Sequence, residues 1–577
     1  MLRMRLILFT LLLVVAANGG FLSKIKETFS GEGSIGQKLK NATIITGQKL
    51  KNATVAGLAK IFGEGFLKIR EKFRRLKEKV VKSLKLTAEQ LKSLQERLKK
   101  WRPIKNDKVA EKGDSIEEIN DNSHIAEDLY QGDVVLTMAQ ADEITEGIEE
   151  LADGVNRTKR QAFKDRRYPQ TLWSEGVSYY FHPLASREMR SVFVKGAKWW
   201  EKDTCINFAE NRMAKDRIMV FPENGCWSFV GKLGGEQKLS LGSGCESVST
   251  AAHEIGHALG FFHTMSRYDR DDFITVNTAN IKADWLSQFN KETPQTNDNY
   301  GMTYDYGSLL HYGGTSASFN KKPTMVPFDV NYQQTLGSPF ISFIELSMLN
   351  EHYKCKERCD PRTSVKCEMG GFPHPRDCRK CICPGGYGGA RCTERPSGCG
   401  EKIQASTNWV TLEDVVGNNR ENEDFFTCNY WIESPVGTVI QVRLLDFTKG
   451  LSVDGCKYAG VEIKTNKDQT LTGYRFCSPD AAGLTLQSFT NRVPIMTYNR
   501  LYQSKTVLEY RYVPKGSTIP PPLPPTTTKN PLIGVAGFQC MDESSICSSL
   551  VRAGFCDMSS TPLKIRMRMC GKSCNFC

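Results

Sequence analysis

The stretch AAHEIGHALGFFHTMSRYDRDD, residues 251–272, constrains this chain more than any other. His253 and His257 are four residues apart, so on a helix they project from one face and can bind one metal ion from the same side. Gly260 can end that helix in a left-handed turn, which brings His263 to the same ion from another direction. Three neutral imidazoles with an open fourth position are typical of a catalytic zinc site. The stretch therefore predicts a helix, a sharp turn and one bound Zn²⁺.

Glu254 directly follows the first of these histidines and points about 100° round the helix from it. A glutamate there can take a proton from a water whose pKa zinc lowers from about 15.7 towards 7, and can pass the proton to a leaving amine. A bare HExxH motif recurs by chance, but the longer H-E-x-x-H-x-x-G-x-x-H motif is far more specific, and this chain has only 8 histidines. We therefore predict a zinc hydrolase with Glu254 as its general base.

Longer stretches of the chain resemble the astacin family of metzincin metalloendopeptidases. The family's R-x-D-R-D run after the third histidine is kept as Arg267, Asp269, Arg270 and Asp271. Its Y-D-Y-x-S-x-M-H-Y turn is similar to YDYGSLLHY at residues 304–312, and its opening and disulfide segments are similar to RRYPQTLWSEGVSYYF, DTCINF, GCWSFVG and GSGCES. The resemblance implies an α+β fold, with a twisted, mostly parallel N-terminal sheet, two long helices, and a more irregular C-terminal half across the cleft.

The resemblance also implies roles for particular residues. The zinc ligands that it implies are His253, His257 and His263. Glu254 would be the general base, and Tyr312 would ligate zinc at rest and then swing away to stabilise the oxyanion. The disulfides that it implies are Cys205–Cys355 and Cys226–Cys245, within a catalytic domain at residues 161–355.

Two residues depart from the family pattern. Thr264 stands where the family has a glutamate linked to the mature N-terminus, and a threonine cannot supply that charge. Leu310 stands where the family has the methionine of its turn beneath the metal. Because leucine and methionine have similar apolar volumes, such an exchange usually costs less than about 1.5 kcal/mol. We therefore expect the packing below the zinc to be retained.

The N-terminus has the pattern of an export signal. Two arginines, an apolar run from Leu6 to Ala17 and small residues predict a signal peptide at residues 1–19, and no later run is long enough to cross a bilayer. All 20 cysteines follow residue 200, in even clusters of four, six, four and six. Even clusters predict disulfides formed in an oxidising compartment, so we expect a secreted, extracellular protein without a transmembrane segment.

The formal net charge of +13 is segregated along the chain. Residues 21–112 hold 24 Lys and Arg against 9 Asp and Glu, whereas residues 113–160 hold 3 against 13. In the basic part, apolar residues from Phe73 to Leu98 are spaced for one face of a helix, with Thr87 as an internal cap. Such a helix could bind an anionic membrane, nucleic acid or the acidic stretch. We expect it to dock on its own protein, and we predict no nucleic-acid partner.

The acidic stretch ends at a dibasic site in NRTKRQAF. A secretory-pathway convertase is expected to cut between Arg160 and Gln161, which would make residues 20–160 a mostly helical or partly disordered propeptide. Astacin proenzymes carry an F-x-G-D motif whose aspartate occupies the open position on zinc, and Tyr130-Gln131-Gly132-Asp133 is similar. This resemblance implies that Asp133 is the inhibitory ligand of a zymogen; the alternative is an ordinary turn aspartate. N-glycosylation sequons lie at Asn41, Asn52 and Asn156.

Two cysteine clusters follow the proposed catalytic domain. Residues 356–393 resemble an EGF-like module, and the disulfides implied are Cys359–Cys378, Cys367–Cys381 and Cys383–Cys392. The C-x2-C-x-C core could instead bind zinc, but secretion and the even count favour disulfides. Residues 399–513 alternate as in a β-sandwich and resemble a CUB domain, implying Cys399–Cys428 and Cys456–Cys477. Ala459 stands where calcium-binding CUB domains have aspartate, so calcium is not predicted.

The chain ends in a linker and one more module. Residues 514–539 form a Pro/Thr-rich linker, which predicts an extended spacer. Residues 540–577 resemble the ShK toxin-like (ShKT) module, and the disulfides implied are Cys540–Cys577, Cys547–Cys570 and Cys556–Cys574. Lys564 is followed by Ile565 where channel-blocking members have tyrosine, so we expect docking or spacing rather than channel block.

These features together predict a secreted zymogen of an astacin-type zinc endopeptidase, whose EGF-like, CUB and ShKT modules place it on extracellular protein substrates. The arrangement is similar to that of nematode astacins, which implies processing of matrix, collagen or cuticle, or degradation of tissue. One alternative is a catalytically inactive binding protein that uses its CUB module; intact Glu254 and the three histidines argue against it. Another is a zinc hydrolase acting on bonds other than peptide bonds.

Overall fold

A computed structural model describes residues 57–152, 162–164, 166–293, 297–523, 542, 544–558 and 561–574. It divides into two compact units, residues 1–67 and residues 68–577. The described part of the first unit, residues 57–67, is mostly helical, and the contacts below belong to the second unit. Several predicted features lie outside the described residues: the signal peptide, Asn41, Asn52, Asn156, Arg160, Gln161, Cys540 and Cys577.

The helices and strands are numbered in chain order from Glu64. The helices are α1 (Glu64–Ser83), α2 (Ala88–Lys100), α3 (Ile116–Asn122), α4 (Met138–Ala152), α5 (Arg187–Lys202), α6 (Val248–Ala258), α7 (Phe343–His352), α8 (Cys547–Arg552) and α9 (Leu563–Cys570). The earlier strands are β1 (Val134–Val135), β2 (Ala162–Phe163), β3 (Val177–Phe181), β4 (Phe208–Glu210), β5 (Arg217–Phe221), β6 (Cys226–Phe229) and β7 (Glu236–Leu241). The later strands are β8 (Ile274–Val276), β9 (Asn297–Asp298), β10 (Met325–Pro327), β11 (Phe372–His374), β12 (Asp377–Ile382), β13 (Lys402–Gln404), β14 (Val410–Glu433), β15 (Thr438–Phe447), β16 (Ala459–Ile463), β17 (Tyr474–Phe476), β18 (Thr485–Gln487) and β19 (Arg492–Pro514).

The basic amphipathic stretch forms two helices, and Thr87 caps the second. The Thr87 hydroxyl accepts the Gln90 N–H at 3.2 Å, and the Gln90 side chain accepts the Thr87 N–H at 2.9 Å, which is a reciprocal capping box. Of the predicted apolar face, Leu76, Val80, Leu84 and Leu94 are buried. Leu91 departs from the expectation because it is 46% exposed. The chain turns between α1 and α2, so the apolar stripe of α2 is rotated from that of α1.

The face of α1 packs on the acidic helix α4. Leu76, Val80 and Leu84 share one buried cluster with Ile144 and Ile148. At the rim, Lys79 lies 3.2 Å from Glu149, and Lys72 pairs with Asp142. Exposed ion pairs of this kind contribute at most about 1 kcal/mol each, so the buried aliphatic side chains hold the helices together. The basic helix is thus docked on its own chain.

The region that carries the histidine motif has two halves: the upper half is built on a six-stranded sheet, and the lower half is the chain that follows α6. The strand order of the sheet is β1-β6-β7-β5-β3-β4. All neighbouring pairs are parallel except β6 and β7, which are antiparallel. Helices α5 and α6 cross closely: the Trp200 indole N–H donates to the Ala252 carbonyl at 2.8 Å, and a Cβ at Gly196 would lie 2.8 Å from the Ala252 nitrogen. The mostly parallel sheet and the two helices agree with the expectation.

Below α6 the chain is irregular, with short 3₁₀ turns and the two-stranded pair of β8 with β10. Helix α7 closes this half. Its N-terminus is capped by Ser342 with Glu345 in a capping box. Cys355, just beyond α7, is bonded to Cys205, just beyond α5. The disulfide therefore fastens the last turn of the lower half to the helix layer of the upper half.

The structure joins the cysteines in the pairs that the sequence resemblances imply, wherever both partners are described. These pairs are Cys205–Cys355, Cys226–Cys245, Cys359–Cys378, Cys367–Cys381, Cys383–Cys392, Cys399–Cys428, Cys456–Cys477, Cys547–Cys570 and Cys556–Cys574. Disulfides of this density are typical of small extracellular modules, whose cores are too small to be stable alone.

Residues 402–514 form two layers that share their longest strands, β14 and β19. The first part of β19 pairs with the end of β14 and with β16, and its second part pairs with the start of β14 and with β15. The ladder between β14 and β19 is interrupted between Gly417 and Phe426, where β14 passes from one layer to the other. Apolar side chains from both layers fill the space between them, as expected of a sandwich.

The sandwich packs directly against the lower half of the histidine-bearing region. Buried Asp305 accepts the Thr472 N–H at 3.3 Å and the Thr472 hydroxyl at 3.1 Å. Asp454 of the sandwich accepts both the N–H and the hydroxyl of Thr315 at 2.6 Å. Burial raises the pKa of both carboxyl groups. The two regions therefore exchange hydrogen bonds in both directions, buried at Asp305 and partly buried at Asp454.

Replacing Gly307 with alanine is expected to loosen this contact. The added Cβ would lie 2.3 Å from Thr472 Cγ2, and overpacking of this kind costs about 1–3 kcal/mol. The midpoint of urea unfolding of the full chain should fall accordingly. Gly385→Ala is the control, because its Cβ would meet Met496 Cε at an ordinary 3.4 Å. Equal midpoints for the two variants would contradict the contact.

None of the helices within the described ranges is both long enough and apolar enough to cross a lipid bilayer.

Candidate metal centre and active site

Helix α6 positions the first two histidines of the motif. Ser247 caps its N-terminus by accepting the Thr250 N–H, and the helix ends at Ala258. Gly260 then has φ +111°, a left-handed conformation that suits glycine, and a Cβ there would lie 3.2 Å from His352 Nε2. The chain reverses at this point and brings His263 back beside the helix, as the spacing predicts.

Each of the three imidazoles is oriented by a hydrogen bond from its Nδ1. His253 Nδ1–H donates to the Leu309 carbonyl at 2.9 Å, and His257 Nδ1–H donates to the Phe261 carbonyl at 2.7 Å. His263 Nδ1–H donates to Gln131 Oε1 at 2.9 Å. Because each Nδ1 carries the proton, each Nε2 presents a lone pair.

The three Nε2 atoms converge on one point together with the carboxylate of Asp133. The Nε2 of His253 lies 3.1 Å from that of His257 and 3.3 Å from that of His263. Asp133 Oδ2 lies 3.2 Å from His263 Nε2 and 3.3 Å from His253 Nε2, and all four side chains are buried. Four atoms placed tetrahedrally at about 2.0–2.1 Å from an ion lie about 3.3–3.4 Å apart, so this donor set fits zinc.

The protonation of these side chains also favours a bound cation. Burial lowers the pKa of His253, and it lowers that of His263 to about 3, so these two imidazoles are neutral. Burial opposes the ionisation of Asp133, so a carboxylate at this point requires a positive charge beside it. Converging lone pairs and a buried carboxylate repel one another unless a cation lies between them.

Glu254 lies on the same helix, next to His253, and is fully buried. Neither of its carboxylate oxygens has a hydrogen-bond partner within the described part of the chain. Burial raises its pKa well above the usual range, and the nearby charge of Asp133 adds to this effect. A buried carboxylate without a partner is costly to keep, and it is available to accept a proton from a water or a substrate.

Tyr312 faces the same centre from the turn at residues 304–312. Its ring lies 4.4 Å from that of His263, and its hydroxyl donates to the Gln131 carbonyl. Burial, with Asp133 nearby, raises the pKa of Tyr312 well above 10, so the phenol keeps its proton and acts as a donor. Gly132 makes this contact possible: it has φ +89°, and a Cβ there would lie 3.1 Å from the Tyr312 hydroxyl and 3.0 Å from Trp285 Cη2.

The segment that carries Asp133 is held along the edge of the sheet. Strand β1 directly follows Asp133 and pairs with β6 in parallel, and the Ser228 N–H donates to the Asp133 carbonyl at 3.2 Å. Asn120 joins the two chains: its Nδ2 donates to the carbonyls of Gly132 at 2.9 Å and Cys226 at 2.7 Å, and its Oδ1 accepts the Cys226 N–H at 2.8 Å. The edge of the cleft is therefore covered by the chain itself.

Sequence reasoning missed three residues of this site. Gln131 bridges His263 and Glu292, because its Nε2 donates to Glu292 Oε1 at 2.9 Å while its Oε1 accepts from His263. Asn120 holds the segment to β6, and Trp285 covers Gly132. Gln131 lies inside the YQGD motif and could have been noticed there. Asn120 and Trp285 lie outside any motif, so nothing local marks them.

Glu345 holds the turn at residues 304–312, beneath the metal centre, through hydrogen bonds. This buried carboxylate accepts the N–H groups of Leu309 at 3.0 Å and Leu310 at 3.1 Å, and the hydroxyl of Ser308 at 2.5 Å. Thr264 enters the same network through its hydroxyl, 2.6 Å from that of Ser308. Leu310 is 1% exposed and packs toward Gly256 of α6, so the turn keeps the expected packing without methionine.

The arginines and aspartates after His263 support the loop rather than the centre. Arg267 donates to Asp269 through two nitrogens, at 2.8 and 2.7 Å, and to the Met302 carbonyl at 2.9 Å. Arg270 donates to the Met265 carbonyl at 2.9 Å and lies 3.1 Å from Asp271. Arg267 therefore ties the loop that follows His263 to the chain at Met302, and Arg270 holds the loop to itself.

Comparisons with known proteins agree with this geometry. A family model described as Astacin, a family of peptidases, matches residues 165–354. Over 420 residues the chain is 47% identical to the zinc metalloproteinase nas-31 of Caenorhabditis elegans, covering 72% of this chain and 68% of that protein. It is 33% identical over 408 residues to nas-29 of the same organism, covering 67% and 76%. Among solved structures, high choriolytic enzyme 1, a hatching enzyme zinc-protease from Oryzias latipes, is 28% identical over 33% of this chain and 94% of its own, with a TM-score of 0.30.

Proposed function

Because this chain belongs to the astacin family of zinc metalloproteinases, we propose that it is a secreted endopeptidase made in a latent form. The observation that carries the proposal is the buried centre, where three imidazole Nε2 atoms and one carboxylate converge beside the carboxylate of Glu254, which has no hydrogen-bond partner among the described residues. Two observations also favour export: the even cysteine clusters and the disulfides. Glycosylation at Asn41, Asn52 and Asn156 is part of the proposal.

His253, His257 and His263 would hold the zinc ion through their Nε2 atoms. The hydrogen bonds from Nδ1 to Leu309, Phe261 and Gln131 support this assignment, because they orient the rings and leave the lone pairs free. Zinc bound there supplies a Lewis acid that polarises a carbonyl oxygen and lowers the pKa of water.

Glu254 would act as general base. Its unpaired, buried carboxylate takes a proton from the attacking water and returns it to the leaving amine. Tyr312 would donate a hydrogen bond to the negative charge that develops on the scissile carbonyl oxygen. In the latent chain its hydroxyl is already bonded to the Gln131 carbonyl, so Tyr312 becomes available only when that segment leaves.

Latency would depend on the segment around Asp133. Its carboxylate takes the fourth position beside the imidazoles, and β1 covers the edge of β6. An extended substrate could pair with that same edge once β1 has gone, as extended peptides often do with exposed sheet edges. We propose a convertase cut between Arg160 and Gln161, which would separate residues 20–160 from a mature chain that begins with the catalytic domain at 161–355.

The remaining modules would place the enzyme on its substrate. We propose an EGF-like module at 356–393, a CUB domain at 399–513, a linker at 514–539 and an ShKT module at 540–577; the disulfides and the two-layer sandwich support this division. Extracellular matrix, collagen or cuticle proteins are the proposed substrates. The alternative, an inactive binding protein, predicts no hydrolysis after trimming. Cleavage of gelatin or casein by the trimmed chain therefore decides between them.

Removing zinc from the trimmed chain is expected to abolish hydrolysis, and adding Zn²⁺ back should restore it. Metal analysis should give one zinc per chain, and the thermal midpoint should fall on chelation because an ion bound only to the folded state stabilises it. His257→Ala should lose the metal, whereas His182→Ala should keep it, because His182 lies outside the centre. Hydrolysis that persists in the metal-free chain would refute the proposal.

A further inference from the structure

The part of the N-terminal segment that precedes α3 lies against the C-terminal modules. The Asp107 N–H donates to the Ser452 carbonyl at 2.7 Å, and the Ser452 N–H donates back to Asp107 Oδ2 at 3.1 Å. On the other side, the Leu563 N–H of α9 donates to the Lys108 carbonyl at 2.9 Å. The backbone at residues 107–108 is thus bonded both to the sandwich and to the last module.

Val109 is the apolar anchor of this contact. It is fully buried, and the cluster around it draws side chains from both modules: Phe447, Leu451, Val453, Tyr458, Leu563 and Met567. Burying a valine side chain contributes about 1.5–3 kcal/mol. Its two neighbours in sequence, Lys108 and Ala110, are only partly buried.

Asp114 fixes the bend that follows the anchor. Its carboxylate accepts the N–H groups of Val109 at 2.9 Å and Ala110 at 2.7 Å, and it also accepts the Tyr458 hydroxyl at 2.7 Å. Nearer the N-terminus, the Lys105 N–H donates to Asp480 Oδ2 at 3.0 Å, and the Asn106 amide donates to Thr315 Oγ1 at 3.0 Å. The contact therefore combines a deep aliphatic anchor, paired backbone groups and polar partners that range from partly buried to exposed.

We propose that this surface, the C-terminal groove (Phe447, Ser452, Val453, Tyr458, Leu563 and Met567), is a peptide-binding site separate from the metal centre, with residues 105–114 of this chain as its occupant. The ligand is a peptide that presents one aliphatic side chain and bends after it, with an aspartate two residues before that side chain and another five residues after it. The proposal rests on the proposed function only where it treats residues 20–160 as a propeptide.

The groove gives the latent segment a second point of attachment. Asp133 is held at the metal centre, and Val109 is held by modules that follow the peptidase domain in sequence. When one segment is bound at two sites, release at one leaves it tethered at high local concentration near the other. A cut between Arg160 and Gln161 therefore does not by itself free the centre; the segment must also leave the groove.

Hydrogen exchange on the uncut full chain tests the groove. In Val109→Asp, a buried carboxylate replaces the anchor, and exchange should rise about tenfold in peptides covering 447–458 and 561–570. Glu111→Asp is the control, since Glu111 is exposed two residues away. Peptides covering 253–263 should be unchanged in both variants. No rise in Val109→Asp, or an equal rise in Glu111→Asp, overturns the proposal.

Tyr458→Phe keeps the test decisive if Val109→Asp unfolds the chain. It removes one hydroxyl that donates to Asp114 and leaves the ring in place, so exchange in the groove peptides should rise about two- to tenfold. No local rise in this variant contradicts the groove. The exchange experiment needs neither zinc nor hydrolysis, so a chain that passes it but does not hydrolyse protein would refute only the proposed function.

Discussion

Glu254→Gln is expected to lower the kcat/KM of the trimmed chain for a fluorogenic peptide by about 10²–10⁴-fold. Glutamine has nearly the same shape but cannot accept the proton of the attacking water. Because both oxygens of Glu254 are buried and have no hydrogen-bond partner within the described ranges, removing the charge should not destabilise the fold, and the thermal midpoint should stay level or rise. The zinc content should remain one per chain, which separates loss of chemistry from loss of the metal.

Glu210→Gln is the matched control for this result. Glu210 is an exposed residue of β4 in the same region, so its exchange should leave kcat/KM unchanged within error. A Glu254→Gln chain that retained more than about a tenth of the activity, with zinc and fold intact, would exclude Glu254 as the general base. An inactive chain that had also lost its zinc would point instead to damage to His253 next to it.

Asp133→Ala is expected to give the uncut chain peptidase activity on a small peptide substrate, at least about tenfold above that of the unchanged uncut chain. The carboxylate holds the fourth position beside the imidazoles, at 3.2–3.3 Å from His253 and His263. Alanine has no ligand atom, so water and a small substrate can enter even while β1 covers part of the edge. The measurement uses chains in which Arg160 is replaced by serine, so that cutting does not contribute.

Glu111→Ala is the control for latency, because it removes an exposed carboxylate from the same N-terminal segment without touching the centre. It should leave the uncut chain as inactive as before. If Asp133→Ala stayed equally inactive while binding one zinc, the segment would block the cleft by covering it, and Asp133 would not be the inhibitory ligand.

The parts of this molecule set by local spacing could be predicted from the sequence. The prediction of a zinc metalloproteinase is confirmed by the relatives, and the structure brings His253, His257 and His263 together as the helix and the glycine turn require. The alternation of residues 399–513 followed from a short-range pattern, whereas the disulfide pairs came only from the resemblances, since Cys205 and Cys355 are 150 residues apart. Asp133 could be placed beside the histidines only through a four-residue resemblance.

The parts that depend on distant contacts could not be predicted. Thr264 replaces the glutamate of the family pattern, so the sequence indicated that a charge was missing there. In the structure its hydroxyl joins a network in which Glu345, eighty-one residues later, supplies the carboxylate. Leu91 fits the apolar stripe yet is exposed, because the chain turns at Thr87 and rotates the second helix. The docking of Val109 on the C-terminal modules links residues over 300 positions apart, which no local pattern reports.

The hydrogen bonds between Asp305 and Thr472, and between Asp454 and Thr315, limit how the sandwich and the histidine-bearing region can be recombined. The cysteine clusters divide the sequence into pieces that look interchangeable, as if the sandwich could be swapped for that of another protein. Each piece, however, carries a carboxylate whose partner belongs to the other. A transplanted sandwich would have to bring a threonine to Asp305 and a carboxylate to Thr315, so the two pieces must diverge together rather than be exchanged separately.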